Sequence, residues 1–348
     1  MDLASNDYSK RSSIVGHIAP HQISAVRWLP RRSNDELYFV TGSLAETVNS
    51  VILWYFSVDK NSEDGLQLVP KSLAEFSVSN DVVGIEMLDS NNVVCATSDG
   101  KLMNINRFLF SGIISVLDVN EEDILAYRLM EKCSLKDLHG TNAFGSACSG
   151  ISAYKQIVAT AGEDGYVNIV AADVGEIVHT IKDPNNSSIR CVSLVHTNIV
   201  VAGRQSGFLD CYDTRQGGNN PVIYIDTKYE EDQDLNTPTC LNLSPNLNVT
   251  CGLECGTILL WDMRNPSNTT AMDGGHTSML NEIRFAPERG NLMVSADTKG
   301  KIMQWGIQNR IQRLMESKSI NSIDVDLTHI IAGGDSEMLF MIELYREN

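Results

Sequence analysis

Between Gly275 and Ile307 the chain reads GHTSMLNEIRFAPERGNLMVSADTKGKIMQWGI, three short strands separated by two turns. Met279, Ile283 and Phe285 fall on one side of an alternating run and Glu282 and Arg284 on the other, the pattern of a half-buried strand. Pro287 to Asn291 is turn-like and Leu292 to Ser295 reads as a second strand. Asp297 to Gly300 forms another turn, and Lys301 to Trp305 the third strand. The tight turn before that third strand recurs at Asp99-Gly100, Asp164-Gly165, Ser206-Gly207 and Cys255-Gly256. With Lys299-Gly300 it falls at intervals of 65, 42, 49 and 44 residues.

Apart from the first, those intervals suit repeated four-stranded units of about 40–45 residues plus loop variation. The order Gly-His, strand, turn, strand with Ser, Asp-turn, strand ending in Trp resembles the blade of a WD-repeat β-propeller. The resemblance implies a hydrogen-bonded set inside the blade, carried here by His276, Ser295, Asp297 and Trp305. Such a set satisfies four polar groups against one another and locks three strands together. Ser, His and Asp also invite a catalytic triad reading. Ser295 lies inside a strand, however, with no nucleophile elbow and no evident oxyanion hole, so the set reads as structural and no catalytic residue is assigned.

Seven blades follow from the same pattern. Blade one runs from Gln22 to Asp59 and blade two from Val82 to Asn106; blade three centres on Ile157–Val170, and blade four spans Ile189–Asp213. Blade five spans Cys240–Asp262, blade six is the template, and blade seven spans Ile320–Leu344. The last has only three strands before the chain ends, which leaves an edge exposed. Ser12 to Ile18 is strand-like and is expected to supply the missing outer strand. The fold class is therefore all-β, a seven-bladed WD-repeat β-propeller whose N-terminal strand closes the last blade. Residues 1–10 read as a flexible tail, and 11–348 as a single propeller with an inserted loop at about 109–149. Within the insertion, Glu121 to Met130 has spacing compatible with a short helix, and the outer strand of blade two is expected near Ile113 to Asp118. The rest is either a binding loop or a tolerated insertion. Tyr229 to Asp234 is acidic and reads as a solvated loop.

Composition excludes several function classes. With 27 Lys and Arg against 44 Asp and Glu, the net charge of −17 repels phosphate backbones, and Lys10-Arg11 and Arg31-Arg32 are too small a basic patch for direct nucleic-acid binding. No apolar leader precedes Ser13, and Phe108 to Leu117 is about half the length of a membrane span, so no membrane insertion is expected. Eight cysteines without a Cys-x-x-Cys pair sit in apolar, strand-like contexts and read as reduced core thiols of an intracellular protein. No Gly-x-Ser-x-Gly, His-Glu-x-x-His or Walker-type motif occurs, and neither cofactor nor metal is implied. A convergent charged cluster in the central channel would reopen the enzyme reading.

A longer resemblance runs over nearly the whole chain. Ile23-Ser-Ala-Val-Arg-Trp28, Phe39-Val-Thr-Gly-Ser43 and Ile52-Leu-Trp54 are similar to the first blade of the small WD-repeat nucleoporin family of the Y-shaped outer-ring complex of the nuclear pore. Gly162-Glu-Asp-Gly165, Tyr212-Asp-Thr-Arg-Gln216 through Pro221, Ser319 to Asp324 and Ile331 to Asp335 continue it in order. The resemblance implies a non-enzymatic scaffold, monomeric alone, whose partners are the other Y-complex nucleoporins. It places the protein at the nuclear pore of the nuclear envelope, serving protein and mRNA transport, and at the kinetochore in mitosis. A second resemblance stands beside it. Leu259 to Arg264 and Leu209 to Arg215 are similar to the Trp-Asp-x-Arg pattern of substrate receptors of cullin-4 ubiquitin ligases. That makes Arg215 and Arg264 candidate partner-binding residues, or arginines held in local salt bridges.

Overall fold

The computed structural model describes residues 14–31, 37–59, 67–110, 126–136, 138–139, 147–183, 187–217, 219–227, 237–244, 246, 248–265, 269–287, 292–306 and 310–345. Among these, the strands form seven antiparallel sheets of four, each one blade of a propeller. In blades one to six the chain runs from the inner strand outward. The inner strands are Ile23–Trp28, Val82–Met87, Cys148–Tyr154, Ile189–His196, Pro238–Leu243, Leu280–Phe285 and Ile320–Val325. Each packs on the next and the seventh on the first, so the ring is closed.

Closure is made by the two ends of the chain. Ile14–Ile18 adds to Met338–Glu343 as the outer strand of blade seven, pairing Ile14 with Ile342 and Ile18 with Met338. The expected strand is present. Deleting residues 1–18 removes it and bares the edge of Met338–Glu343, where unpaired backbone groups template association. The deletion is expected to lower the melting temperature by roughly 5 °C or more and to cause concentration-dependent light scattering; a variant that melts and scatters like the intact chain would show that the strand contributes nothing to closure.

The core is divided among the blade interfaces. Seven apolar clusters are buried, one between each pair of neighbouring blades. Between blades seven and one, Trp28, Phe39, Trp54 and Phe56 meet Ile331, Leu339 and Met341. Phe39 stacks on Trp54 at 5.9 Å and takes the edge of Trp28 at 5.7 Å. A blade buries its faces only against two neighbours, so closure and burial depend on one another.

Two sequence expectations are corrected. Ala126–Leu135 is a strand, the outer one of blade two, paired with Leu102–Phe110. The helix expected over Glu121–Met130 is thus absent from Ala126 onward, while Glu121–Leu125 and Ile113–Asp118 lie outside the described residues. Register on the hairpin partner overrides local spacing here. In blade six the inward residues are Leu280 and Ile283, with Met279 ahead of the strand. A bulge between Leu280 and Glu282 breaks the simple alternation. The tail at 1–10 and the acidic run Tyr229–Asp234 fall outside the described residues.

Candidate functional site

The bulge at Leu280/Glu282 belongs to a set of seven. Every inner strand carries one beside its first paired residue, leaving Ser24, Val83, Ser149, Arg190, Thr239, Asn281 and Asn321 without a partner across the inner hairpin. A bulge turns a side chain out of the pleat, and here it allows bonds between blades. Ser149 Oγ donates to Ile189 O at 2.5 Å, Asn281 Nδ2 to Ile320 O at 2.8 Å, and Asn321 Nδ2 to Ile23 O at 3.1 Å. The last crosses the junction between blades seven and one.

These strands line a central cavity of about 280 Å³. Its walls differ sharply from side to side. Two residues beyond the first paired position stand Ala25, Gly84, Gly150, Cys191 and Cys240 on blades one to five, but Glu282 on blade six. Small residues leave the space, and long charged ones cross it. Arg27 Nη2 donates to Glu282 Oε1 at 2.7 Å and to Glu86 Oε1 at 3.0 Å. Arg284 Nη2 donates to Glu86 and to Glu282, each at 2.7 Å. Glu282 Oε2 also accepts from Ser322 Oγ and Ile323 N, and Asp324 Oδ2 accepts from Trp28 N. Blades one, two, six and seven are thereby tied across the channel.

Burial acts against every charge in this cluster. It pushes the Glu86 carboxyl up to about 7 and Asp324 to about 6, against the attraction of Arg27. Glu282 is raised for the same reason, while Arg27 is held above its usual value because Glu282, Glu86 and Asp324 outweigh its own desolvation. A carboxyl whose folded value exceeds its unfolded one binds its proton more tightly in the native state, so its contribution falls as pH rises. For Glu86 the window runs from its ordinary 4.5 to about 7, a loss of about 3 kcal/mol at roughly 1.4 kcal/mol per unit. Denaturation followed between pH 5 and 8 should show stability falling with pH more steeply in the wild type than in Glu86→Gln. Parallel curves for the two proteins would overturn this.

The residues expected in blade six do come together. His276 Nδ1 lies 2.7 Å from Asp297 Oδ2 and Nε2 lies 2.7 Å from Ser295 Oγ, while Trp305 Nε1 donates to Ser295 Oγ at 2.8 Å. Indole only donates, so Ser295 accepts from Trp305 and gives its proton to His276 Nε2, leaving Nδ1–H for Asp297. Asp297 also accepts from Lys299 N and Lys301 N. These bonds hold its carboxyl below the usual range although burial pushes it up. Ser295 and Asp297 are wholly buried. The set ties the loop ahead of Leu280–Phe285 to the strands Met293–Asp297 and Lys301–Trp305 and to the turn between them.

Blade three contains a related set that the sequence reading missed. His139 Nδ1 is 3.1 Å from Asp164 Oδ1 and Nε2 is 3.0 Å from Thr160 Oγ1, with Val170 where blade six has Trp305. The signal was Leu138-His139-Gly140 placed ahead of Thr160 and Asp164, hidden in a stretch read as loop. Blade four substitutes an ionic version, with Arg204 Nη2 and Tyr212 OH donating to Asp210 at 2.9 and 3.0 Å. All eight cysteines are unpaired and six are buried; burial pushes the Cys95 thiol up to about 12.

Arg215 and Arg264 occupy equivalent places, two residues past the end of the third strand in adjacent blades, and so lie on one face of the disc. Their side chains are 64 % and 73 % exposed. Each guanidinium is clamped by the aspartate two residues before it, Nε to Oδ1 at 2.9 Å in both. They are presented to solvent, but as neutralised pairs. The structure does not bring them to the channel or to the blade-six set.

Comparison with known proteins follows the same architecture. Residues 158–343 match the family described as Nucleolar protein 10-like, N-terminal domain, a β-propeller. The chain is 25% identical to the Homo sapiens protein Nucleoporin Nup43 over 301 residues, covering 84% of this chain and 75% of the relative. It is 21% identical to the Dictyostelium discoideum nuclear pore complex protein nup43, covering 84% of this chain and 83% of that protein. With the Arabidopsis thaliana nuclear pore complex protein NUP43 it shares 22% over 87% of this chain and 89% of the relative.

Proposed function

The chain belongs to the Nucleolar protein 10-like N-terminal propeller family, and from that premise we propose that it is a non-enzymatic scaffold subunit of the nuclear pore complex. One observation carries the reading: 84% or more of the chain aligns with nuclear-pore proteins from an animal, a slime mould and a plant. The finer assignment is to the Y-shaped outer-ring complex, with its other nucleoporins as partners, and to the kinetochore in mitosis. The physics supports a passive role. A closed ring whose core is shared among all blade interfaces is a rigid disc that offers two faces and a rim to neighbours. A charged cluster does converge in the channel, but both Glu86 and Glu282 accept from arginines, which leaves neither carboxylate free as a base. The net charge of −17 favours partners with basic surfaces and acts mainly on association rate and specificity.

Imaging the fluorescently tagged chain in its native cells tests this reading. A punctate nuclear rim in interphase is expected, with kinetochore foci in mitosis. Concentration in the nucleolus, or diffuse nuclear signal with no rim, would overturn the pore assignment.

A further inference from the structure

The central cavity has a second half that the ion-pair network does not reach. On blades three and four its wall carries Ser152, Arg190 and Ser193. Arg190 is the bulged residue of blade four, the one cation among the seven bulged positions. It is half-buried, and among the described residues it has no hydrogen bond and no ion pair. Its six counterparts are Ser, Val, Ser, Thr, Asn and Asn, and five of them are small polar groups of the kind that bonds locally across or between blades. An arginine there has five N–H donors and none is spent.

Two hydroxyls stand with it. Ser152 Oγ accepts from Leu194 N at 2.9 Å, which leaves its own O–H to donate. Ser193, three residues beyond Arg190 on the same strand, is buried, and its hydroxyl bonds to no described residue. Cys191 and Cys240 between these layers are small and leave room. The charged residues on the cavity wall are Arg27, Arg190 and Arg284 against Glu86 and Glu282. Arg27 and Arg284 are matched by Glu86, Glu282 and the neighbouring Asp324, so Arg190 is the cation on this wall with no acidic partner among the described residues, and a low-dielectric enclosure strengthens its field.

We propose that this half of the channel is a binding site for a small phosphate-type oxyanion, held by Arg190 and by the hydroxyls of Ser152 and Ser193. A tetrahedral oxyanion takes donors from several directions at once, and guanidinium and hydroxyl groups on two adjacent blades supply them. At about 280 Å³ the cavity sits just below the range of pockets for drug-sized ligands, so the occupant is a compact anion such as phosphate or pyrophosphate. Burial lifts Glu86 and makes the site more positive as pH falls. The bound anion would join blade three to blade four, in the half of the channel that the ion-pair network does not reach. The site is independent of where the protein resides in the cell.

The test uses the full chain with sodium phosphate and sodium pyrophosphate as probes, against sodium chloride at matched ionic strength. Saturable broadening of the phosphorus resonance and a saturable rise in melting temperature are expected for the wild type. Arg190→Gln, at a half-buried position with no partner to lose, should fold normally and bind at least about tenfold more weakly. Arg215→Gln, an exposed arginine elsewhere, should behave as wild type. A rise reproduced by chloride, unchanged binding in Arg190→Gln, or equal loss in Arg215→Gln would each overturn the proposal. A response to pyrophosphate alone supports it and identifies the larger anion as the occupant.

Discussion

Arg27→Ala is expected to destabilise the protein by about 3–5 kcal/mol, because it leaves buried carboxylates without their counter-charge. Arg27 is 6 % exposed. It donates to Glu86, to Glu282, to Ser322 Oγ at 3.1 Å and to Val26 O at 2.7 Å. Without it Arg284 alone faces Glu86 and Glu282, and Asp324 loses the nearest attraction offsetting its own burial. The loss should grow as pH rises through the values that burial gives Glu86 and Asp324, since protonation relieves both. An apolar replacement of the cluster avoids this cost, so Arg27→Met combined with Glu282→Leu should recover much of the stability. Denaturant unfolding at pH 5 and pH 8 reads both effects. A single mutant within about 1 kcal/mol of wild type at pH 8, or one whose loss does not grow from pH 5 to pH 8, would show that the cluster is not the strut described here.

Trp305→Ala is the second large effect, at about 3–5 kcal/mol for a buried indole. The ring is 2 % exposed and packs with Cys240, Leu280, Ile283 and Met293 between blades five and six. It lies so close over Gly275 that any Cβ there would meet the ring atoms. Its removal also leaves Ser295 Oγ short of a donor. Ser295→Ala should cost a comparable amount, about 1–3 kcal/mol for each buried group left unpaired, namely Trp305 Nε1 and His276 Nε2. The two changes touch one network, so their sum should exceed the cost of the double mutant. Chemical denaturation of the three variants distinguishes this from simple packing, under which the effects would add.

Most of the fold was legible because blades two to six use the same turn before their third strand. Gly100, Gly165, Gly207, Gly256 and Gly300 all have positive φ there, a conformation that favours glycine and so marks the repeat. Blades one and seven place Ala45 and Glu337 at positive φ instead, and had to be found from their strands. The blade-six set was readable because four residue types stand at fixed offsets. In blade five Cys251 replaces the serine, and Trp261 Nε1 has no partner among the described residues, so that blade keeps the tryptophan without the polar set.

The channel was not legible, and the reason is distance along the chain. Arg27 and Glu86 sit singly in their strands and Glu282 and Arg284 share a third, and the Arg27–Glu282 contact spans 255 residues. Only ring closure brings them together. The seven bulges were hidden too, because a bulge shifts the alternation by one residue and makes Met279 look inward where Leu280 is the buried residue. His139 and the outer strand Ala126–Leu135 were lost inside the insertion, where the spacing of the glycines departs from the repeat.

Affinity purification of the tagged chain from interphase cells, with mass spectrometry of partners recovered in stoichiometric amounts, tests the scaffold assignment most directly. The expected result is the set of Y-complex nucleoporins, unaffected by Arg215→Ala and Arg264→Ala. Recovery of a cullin-4 adaptor without nucleoporins, lost when those two arginines are replaced, would contradict it.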